Sequence, residues 1–301
     1  MKHFLIINPA AGKNKNVQQI IEKIESIFAD RSDAYEIRLT EYPDHATELA
    51  AAAAATGEPT RIYCIGGDGT LHEAVSGCYE AENIEIAPYP NGTGNDFVKA
   101  FSQYDFTDME GLVNGKAQSI DLLKCGDKIS INIINCGFDA MVARNVNKFK
   151  KFCSGSLAYY IALFYTFIQR LGNTMQVSVD GETLYSGPSL LAVAANGQVY
   201  GGGFWAAPQA QLDDGLMDTL VVRNMSRLQI TGFVSKYKSG NHEPLMHVIK
   251  KRRGKTMTIC SDRPFAICFD GEVEMTTQAQ IELMPQALRV VLPVSTRKER
   301  M

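Results

Sequence analysis

The sequence predicts two domains, an α/β N-terminal domain on a parallel sheet and a β-rich, mainly antiparallel C-terminal domain. Three observations carry this. Over roughly the first third of the chain, short apolar runs alternate with helix-period segments, as in a parallel sheet covered by helices. Beyond about Ile120 the texture changes to short strand-like runs. Two glycine-rich loops follow successive strand candidates, where doubly wound sheets open a ligand crevice.

The elements follow in order. Phe4 to Ile7 reads as a buried strand. Val17, Ile20, Ile21, Ile24, Ile27 and Phe28 fall at helical spacing and define an amphipathic helix starting just beyond Gly12. Tyr35 to Thr40 is a second strand, and Asp44 is the N-cap expected for an alanine-rich helix that runs to about Thr56 and stops at Gly57. Arg61 to Ile65 is the third strand, followed by a helix from about Leu71 to Tyr79. The apolar run Ile84 to Tyr89 then ends in the second loop, Pro90-Asn91-Gly92-Thr93-Gly94-Asn95-Asp96-Phe97.

In the second half, Ile129 to Cys136, Met175 to Val179, Ser189 to Ala195, Leu216 to Val222, Thr256 to Cys260 and Phe265 to Phe269 read as strands. Two helices interrupt them, Leu157 to Leu171 and the segment around Leu228, Ile230, Phe233, Val234 and Tyr237. The expected boundaries are 1–122 for the α/β domain and 123–290 for the β-rich domain, with residues 291–301 packing back on the first.

With 301 residues, 45% hydrophobic and 21% charged, the chain is long enough to bury full cores. A net charge of −3 gives no global attraction to nucleic acid, so none is expected as a partner and any basic docking surface is local. The N-terminus lacks a secretory signal, which points to the cytoplasm. Seven scattered cysteines without a CxxC pair argue against a disulfide framework and a zinc site and read as buried reduced thiols. The apolar segment Leu157 to Ile168 is too short to span a bilayer, which takes ~20 residues.

The chemistry concentrates at Ile65-Gly66-Gly67-Asp68-Gly69-Thr70-Leu71. Glycines permit close backbone approach, and a helix start offers unpaired N–H groups to an anion, so the loop points to a phosphate-bearing ligand. It lacks the GxxxxGK[ST] pattern of ordinary nucleoside-triphosphate hydrolases. Asn8-Pro9-Ala10-Ala11-Gly12 is by itself a common turn. Asp270-Gly271 is by itself a hairpin turn, although Glu272 beside it is placed to take a proton. Asp213-Asp214-Gly215 is either a surface turn or an oxygen-rich seat for a hard cation.

Taken together and in order, Asn8-Pro9-Ala10-Ala11-Gly12-Lys13, Gly66-Gly67-Asp68-Gly69-Thr70, Gly92-Thr93-Gly94-Asn95-Asp96-Phe97, Ile120-Asp121-Leu122, Asp213-Asp214-Gly215-Leu216 and Asp270-Gly271-Glu272 resemble the diacylglycerol kinase catalytic-domain family, which includes bacterial lipid kinases and sphingosine kinases. The resemblance covers nearly the whole chain. It implies a nucleotide-binding α/β domain related to phosphofructokinases and NAD kinases, a C-terminal β-sandwich, and ATP and Mg²⁺ as cofactors. It places Asn8, Pro9, Ala10, Ala11, Gly12, Gly66, Gly67, Asp68, Gly69, Thr70, Leu71 and His72 on ATP, with Thr40 and Thr93 nearby. It makes Glu272 the general base, links Asp68 and Asp121 through water to magnesium, and gives Mg²⁺ to Asp214 with the carbonyls of Gln211 and Leu216. Asn91 and His72 depart from the residues common in the family at their positions.

The expected reaction is therefore phosphoryl transfer from ATP to the hydroxyl of diacylglycerol or a similar lipid. A sphingoid base or another alcohol is the alternative acceptor, and a nucleotide-binding regulator without turnover is the non-enzymatic alternative. The presence together of Asp68, Asp121, Asp214 and Glu272 favours an enzyme, because a binder needs no base beside an acceptor. The Leu157–Ile168 helix reads as core or as an acyl-chain pocket, and Gly201-Gly202-Gly203 as a turn, a bulge or a close approach for substrate. Lys148, Lys150, Lys151 and the run Lys250-Lys251-Arg252-Arg253-Gly254-Lys255 are solvated charge or local contacts for anionic headgroups, giving transient, peripheral contact with the inner membrane face. The tail from Thr296 to Arg300 reads as a solvated end, and a homodimer is left open.

Overall fold

The computed structural model describes residues 1–12, 17–149, 156–169 and 171–294. Lys13, Lys150, Lys151, Cys153 and the tail from Thr296 to Arg300 therefore lie outside the described residues. The chain forms two compact units, one comprising Met1–Asp121 with the chain from Pro285 onward, the other Leu122–Met284.

The first unit is α/β. Strands β1 (Lys2–Ile7), β2 (Tyr35–Leu39), β3 (Thr60–Gly66) and β4 (Ile84–Pro90) pair entirely in parallel in the order β4-β3-β1-β2. Parallel neighbours need long crossovers, which are supplied by α1 (Val17–Phe28), α2 (His45–Ala55) and α3 (Asp68–Cys78). Leu5, Ile6, Ile7, Ile62 and Ile65 are wholly buried, so the central strands read as continuous apolar runs because both faces are covered. The registers align the strand ends: Ile7 lies beside Leu39 and Ile65, and Ile65 beside Tyr89. Asn8, Thr40, Gly67 and Asn91 consequently leave the sheet at one edge.

Asp44 does not cap α2 as expected. It stands at the N-cap position in the left-handed region, φ 67°, with no side-chain cap bond. Its backbone carbonyl accepts from Thr47 and Glu48, and the Glu73 carboxylate accepts from Ala46 N. Helix α3 begins at Asp68, not Leu71, with Gly67 as its N-cap, because the second half of the glycine loop is itself the first helical turn.

The short helix α4 (Met109–Val113) and the returning C-terminal chain are locked to the sheet by a buried guanidinium. Arg61 places all five N–H donors: two on Glu85 Oε2 at 2.8 and 3.1 Å, and one each on the carbonyls of Leu112, Val113 and Gly115. Arg289 of the return takes Glu85 Oε1 at 2.6 Å, and Val290 pairs with Ile86 in parallel. The return starts at Pro285, ahead of the residue 291 read from sequence.

The second unit is sheet-rich. Its elements are β5 (Lys116–Cys125, which starts in the first unit), β6 (Lys128–Ser130), β7 (Ile133–Gly137), α5 (Phe138–Phe149), α6 (Ser156–Ile168), β8 (Asn173–Val179), β9 (Glu182–Ala195), β10 (Met217–Arg223), α7 (Arg227–Lys238), β11 (Ile249–Gly254), β12 (Thr256–Phe269) and β13 (Glu272–Leu292, which ends in the first unit). Pairing here is antiparallel, β11-β10-β9-β7-β12-β13, with β8 against both β9 and β12. Alternate residues serve opposite faces. Leu191, Val193, Leu220 and Val222 meet Phe138, Phe233 and Tyr237 of the helices, while Ala192, Ala194 and Val221 meet Val177, Ile259 and Phe265 of β8 and β12.

Several expectations change here. The run Ile129–Cys136 is two strands, because Ile131 and Asn132 leave the ladder and turn their amides to the Asp270 carboxylate, which also takes the amide of Ile133 at the start of β7. Thr256–Cys260 and Phe265–Phe269 are one strand, β12, with a register shift between Cys260 and Phe265. Helix α5 was not expected. The basic run at residues 250–255 is mostly β11, where Arg252 pairs with Glu182 at 3.0 Å and Arg253 with Asp214 and Asp218, so part of its charge is neutralised. Cys64, Cys78, Cys136 and Cys268 are buried thiols, whereas Cys260 is exposed. Among the described residues, no helix is long and apolar enough to cross a membrane.

Candidate active site

In the first unit, the three glycine loops meet at the C-terminal edge of the parallel strands. Asn8 ties two of them: its N–H donates to Ile65 O at 2.9 Å, and its Nδ2 donates to Thr70 Oγ1 at 2.9 Å. Its Oδ1 accepts Ala10 N at 2.9 Å, which fixes the turn through Ala11 to Gly12. Asn91 N donates to Gly66 O at 2.7 Å, and Asp68 Oδ1 accepts from Asp96 N at 2.6 Å and Phe97 N at 3.3 Å. The Asp68 carboxylate, at the start of α3, thus holds the 92–97 loop against the 66–70 loop.

Only glycine fits where the loops cross. A methyl group on Gly92 would stand 2.4 Å from Gly67 Cα, and one on Gly12, whose φ is 79°, would stand 2.5 Å from Asn91 O. Asn95, in the left-handed region at φ 50°, closes its own loop by exchanging hydrogen bonds with Gly92 N and O at 3.0 and 2.9 Å. The result is a glycine-lined backbone cradle at a helix start, the setting in which an anion is stabilised by oriented N–H dipoles.

The other residues of the first-unit set are placed less uniformly. Thr40 is buried, with its N–H on Ile7 O at 2.9 Å beside Asn8, and Thr93 is exposed at the loop tip. Leu71 and His72 are only 5% exposed, so neither is a surface residue, and Leu71 lines a small cavity together with Gly66, Gly67 and Asp68. Asp121 is wholly buried and its Oδ1 accepts from Gln286 N at 2.8 Å, so it anchors the returning chain. Lys99, which sequence reading passed over, pairs with Asp96 at 2.5 Å and places a cation beside the 92–97 loop.

In the second unit, Asp270 and Gly271 form a two-residue hairpin with φ 48° and 118°, and Glu272 pairs with Phe269 across it. The Asp270 carboxylate receives three backbone amides, at 2.7, 3.3 and 3.0 Å, which fixes the turn and the base of β13. Glu272 therefore projects from a rigid mount. Its carboxylate is 43% exposed and 3.2 Å from Lys128 Nζ, which also pairs with Glu274 at 2.8 Å. Glu274, and after it Glu272, raise the Lys128 ammonium above its usual range. Lys128 carries no motif and was legible only from the fold.

Asp214 lies in the turn before β10. Leu216 N donates to its Oδ1 at 3.1 Å, and Arg253 pairs with its Oδ2. With the carbonyls of Gln211 and Leu216 the donor set is all oxygen, the type that suits a hard cation. The residues fit Mg²⁺ by chemistry, with Arg253 sharing the same carboxylate.

Sequence reading also missed a half-buried polar cluster in this unit. Asp139, in the first turn of α5, accepts from its own helix at Ala140 N and from the Tyr200 hydroxyl, and Tyr200 in turn lies 3.4 Å from the Tyr237 hydroxyl. Burial pushes the Asp139 carboxyl up to about 6, against the lowering effect of hydrogen bonds from Tyr200 and Asn135. Gly201, Gly202 and Gly203 all have positive φ and make the tight turn that bonds Tyr200 to Phe204. They are a turn, as one of the sequence readings had it.

Residues 2–125 match the family model of the diacylglycerol kinase catalytic domain, and residues 132–292 match that of the YegS C-terminal NAD kinase beta sandwich-like domain. A Staphylococcus epidermidis protein named "Putative lipid kinase" is 29% identical over 233 residues, 76% of each chain. The structure described as "a putative diacylglycerol kinase from Bacillus anthracis str. Sterne" superposes with a TM-score of 0.77 at 23% identity, covering 97% of this chain and 95% of that one. An Archaeoglobus fulgidus NAD kinase in complex with ATP shares the fold at a TM-score of 0.54 and 12% identity, covering 97% and 92%.

Proposed function

This chain belongs to the diacylglycerol kinase catalytic-domain family of lipid kinases and carries the YegS-type C-terminal domain, and from that premise we propose that it uses ATP and Mg²⁺ to phosphorylate the hydroxyl of diacylglycerol or a similar lipid. The observation that carries the proposal is the closure of three glycine loops around Asp68, with Asp96 N at 2.6 Å from its Oδ1. Gly66 to Thr70, with Gly12, present backbone N–H groups to the nucleotide phosphates and Thr93 stands at the rim, while Asn8 to Ala11, whose N–H groups are taken by Ile65 O and by Asn8 itself, shape the turn that sets Gly12. Mg²⁺, when bound, neutralises charge developing on the phosphates.

The protein's own groups do the rest. Asp68 keeps the 92–97 loop closed on the phosphate cradle, and Asp121 holds the returning chain through Gln286. Glu272, restrained by Lys128 on a turn fixed by Asp270, takes the proton of the acceptor hydroxyl as the acceptor oxygen attacks the γ-phosphorus and the bond from that phosphorus to the bridging oxygen breaks, releasing ADP. Asp214, with the carbonyls of Gln211 and Leu216, is the set that would hold a structural Mg²⁺.

The test is transfer of labelled phosphate from ATP, in mixed micelles, to diacylglycerol, a sphingoid base and a soluble polyol. Diacylglycerol is expected to be the preferred acceptor. Glu272→Gln is expected to lower kcat by ~100-fold or more while ATP binding stays at the parent's level. Undiminished transfer by that variant overturns the base assignment. ATP binding without transfer to any acceptor overturns the enzyme in favour of a nucleotide-binding regulator.

A further inference from the structure

Helix α6 carries a stripe of apolar side chains that the protein leaves uncovered. Leu157, Tyr160, Phe164 and Ile168 are 59, 66, 67 and 56% exposed. With 3.6 residues per turn, they fall within about 80° of the helix circumference. The opposite face is fixed to the protein. Ala162 and Thr166 are buried, Asn145 Nδ2 donates to Thr166 Oγ1 at 2.9 Å, and Leu163 and Phe167 pack on the core beneath. Tyr165 meets the Phe149 ring edge-on at 5.5 Å. The outward aim of the stripe is therefore set by the packing of the other side, and only that inner face is the core helix expected from sequence.

The sequence flanking the helix is basic. Residues 140–179 contain Arg144, Lys148, Lys150, Lys151 and Arg170 and no aspartate or glutamate, within a chain of net charge −3. Arg144 and Lys148 are exposed on α5, with Lys148 Nζ 5.7 Å over the Tyr165 ring. At the far end, Arg227 donates to the carbonyls of Phe167, Ile168 and Gln169 at 3.0, 3.3 and 2.9 Å. Leu228, the next residue, is 84% exposed.

An uncharged stripe bordered by cations is complementary to a surface that offers hydrocarbon behind phosphate. We propose that α6 lies in the headgroup region of an anionic bilayer, with Leu157, Tyr160, Phe164 and Ile168 toward the acyl chains and Arg144, Lys148 and Arg227 toward the phosphates. With 13 residues the helix is too short to cross, so the contact is peripheral. A tyrosine among aliphatic residues suits that depth, its ring apolar and its hydroxyl wet. The choice of a lipid partner rests on the lipid-kinase reading, whereas the stripe and its charge do not.

The experiment is flotation of the purified full chain with vesicles of phosphatidylcholine alone or mixed with phosphatidylglycerol, without ATP or diacylglycerol. Binding is expected to the anionic vesicles and to weaken in high salt. The double variant Tyr160→Gln/Phe164→Gln is expected to lose about ten-fold or more of that binding, because each ring forfeits its burial. A Phe164→Trp variant reads insertion directly, as a blue shift over the parent's single Trp205 and quenching by brominated acyl chains. Undiminished flotation of the double variant, or an unshifted and unquenched emission, overturns the proposal. So does a parent dimer that the double variant converts to monomer while vesicle binding stays the same, since the stripe is then a contact between copies. A wrong kinase reading shows separately, as intact flotation with no phosphoryl transfer.

Discussion

Lowering the pH from 7 to 5 is expected to destabilise the first unit and stabilise the second, through one titratable group in each. In the first, His3 is 4% exposed, its Nδ1 lies 2.7 Å from the Tyr63 hydroxyl, and burial lowers its pKa from 6.5 to about 4, with Asp33 opposing and Arg61 assisting. The unfolded chain binds the proton more readily, so this stability is present above 6.5 and is lost as pH falls toward 4. In the second, the Asp139 carboxyl is raised from 3.8 to about 6, so the folded state binds the proton more readily. Its contribution is complete below 3.8 and is lost as pH rises through 6. Integrated between pH 7 and 5, linkage gives a loss of about 2 kcal/mol for His3 and a gain of about 1 kcal/mol for Asp139. The second figure is an upper limit, since Asp139 is only half-buried and water screens part of the effect.

Amide hydrogen exchange, corrected for intrinsic rates, reads the two units apart through peptides from β1 and β3 and from β9 and β10. His3→Gln is expected to remove the acid loss in the first set. Asp139→Asn keeps an acceptor for Tyr200 and is expected to raise protection of the second set at pH 7 and flatten its pH response. If Asp139→Asn leaves the pH response of β9 and β10 unchanged, burial of that carboxyl is not what sets it, and the reasoning fails.

Two further outcomes test the frame of the site. Gly92→Ala sets a methyl against the Gly67 backbone, so the loops must part; ATP affinity by calorimetry is expected to fall ten-fold or more, with stability lower by about 1–3 kcal/mol, whereas Gly69→Ala meets nothing within 4 Å and is expected to be tolerated. Arg61→Met strands three carbonyls and half of the Glu85 pairing, and urea denaturation is expected to show a loss of about 3–5 kcal/mol; a loss below about 1 kcal/mol would mean that this buried network contributes little.

The strand-loop-helix order of the first unit was legible because parallel strands buried on both faces are apolar runs, and each connection is marked by glycine or polar residues. The glycine loops were legible for a related reason: close backbone approach admits only glycine, so Gly67 and Gly92 announce their crossing in composition alone. Helix α5 was missed although Phe138, Met141, Val142, Val146 and Phe149 fall at helical spacing, because Asn145 interrupts that row and its burial, bonded to Thr166 of α6, is decided only by the fold. The break between β6 and β7 was hidden because its cause, Asp270, lies far away in sequence.

By itself, then, the sequence determined the fold class, the family and the glycine loops, all of which rest on local spacing and residue type. Tertiary structure alone decided what the side chains meet. It gave Asp68 the amides of Asp96 and Phe97, Glu272 the ammonium of Lys128, and Asp214 the guanidinium of Arg253. It also turned one face of an all-apolar helix outward, because burial of that helix is fixed by the partners packed on its other side.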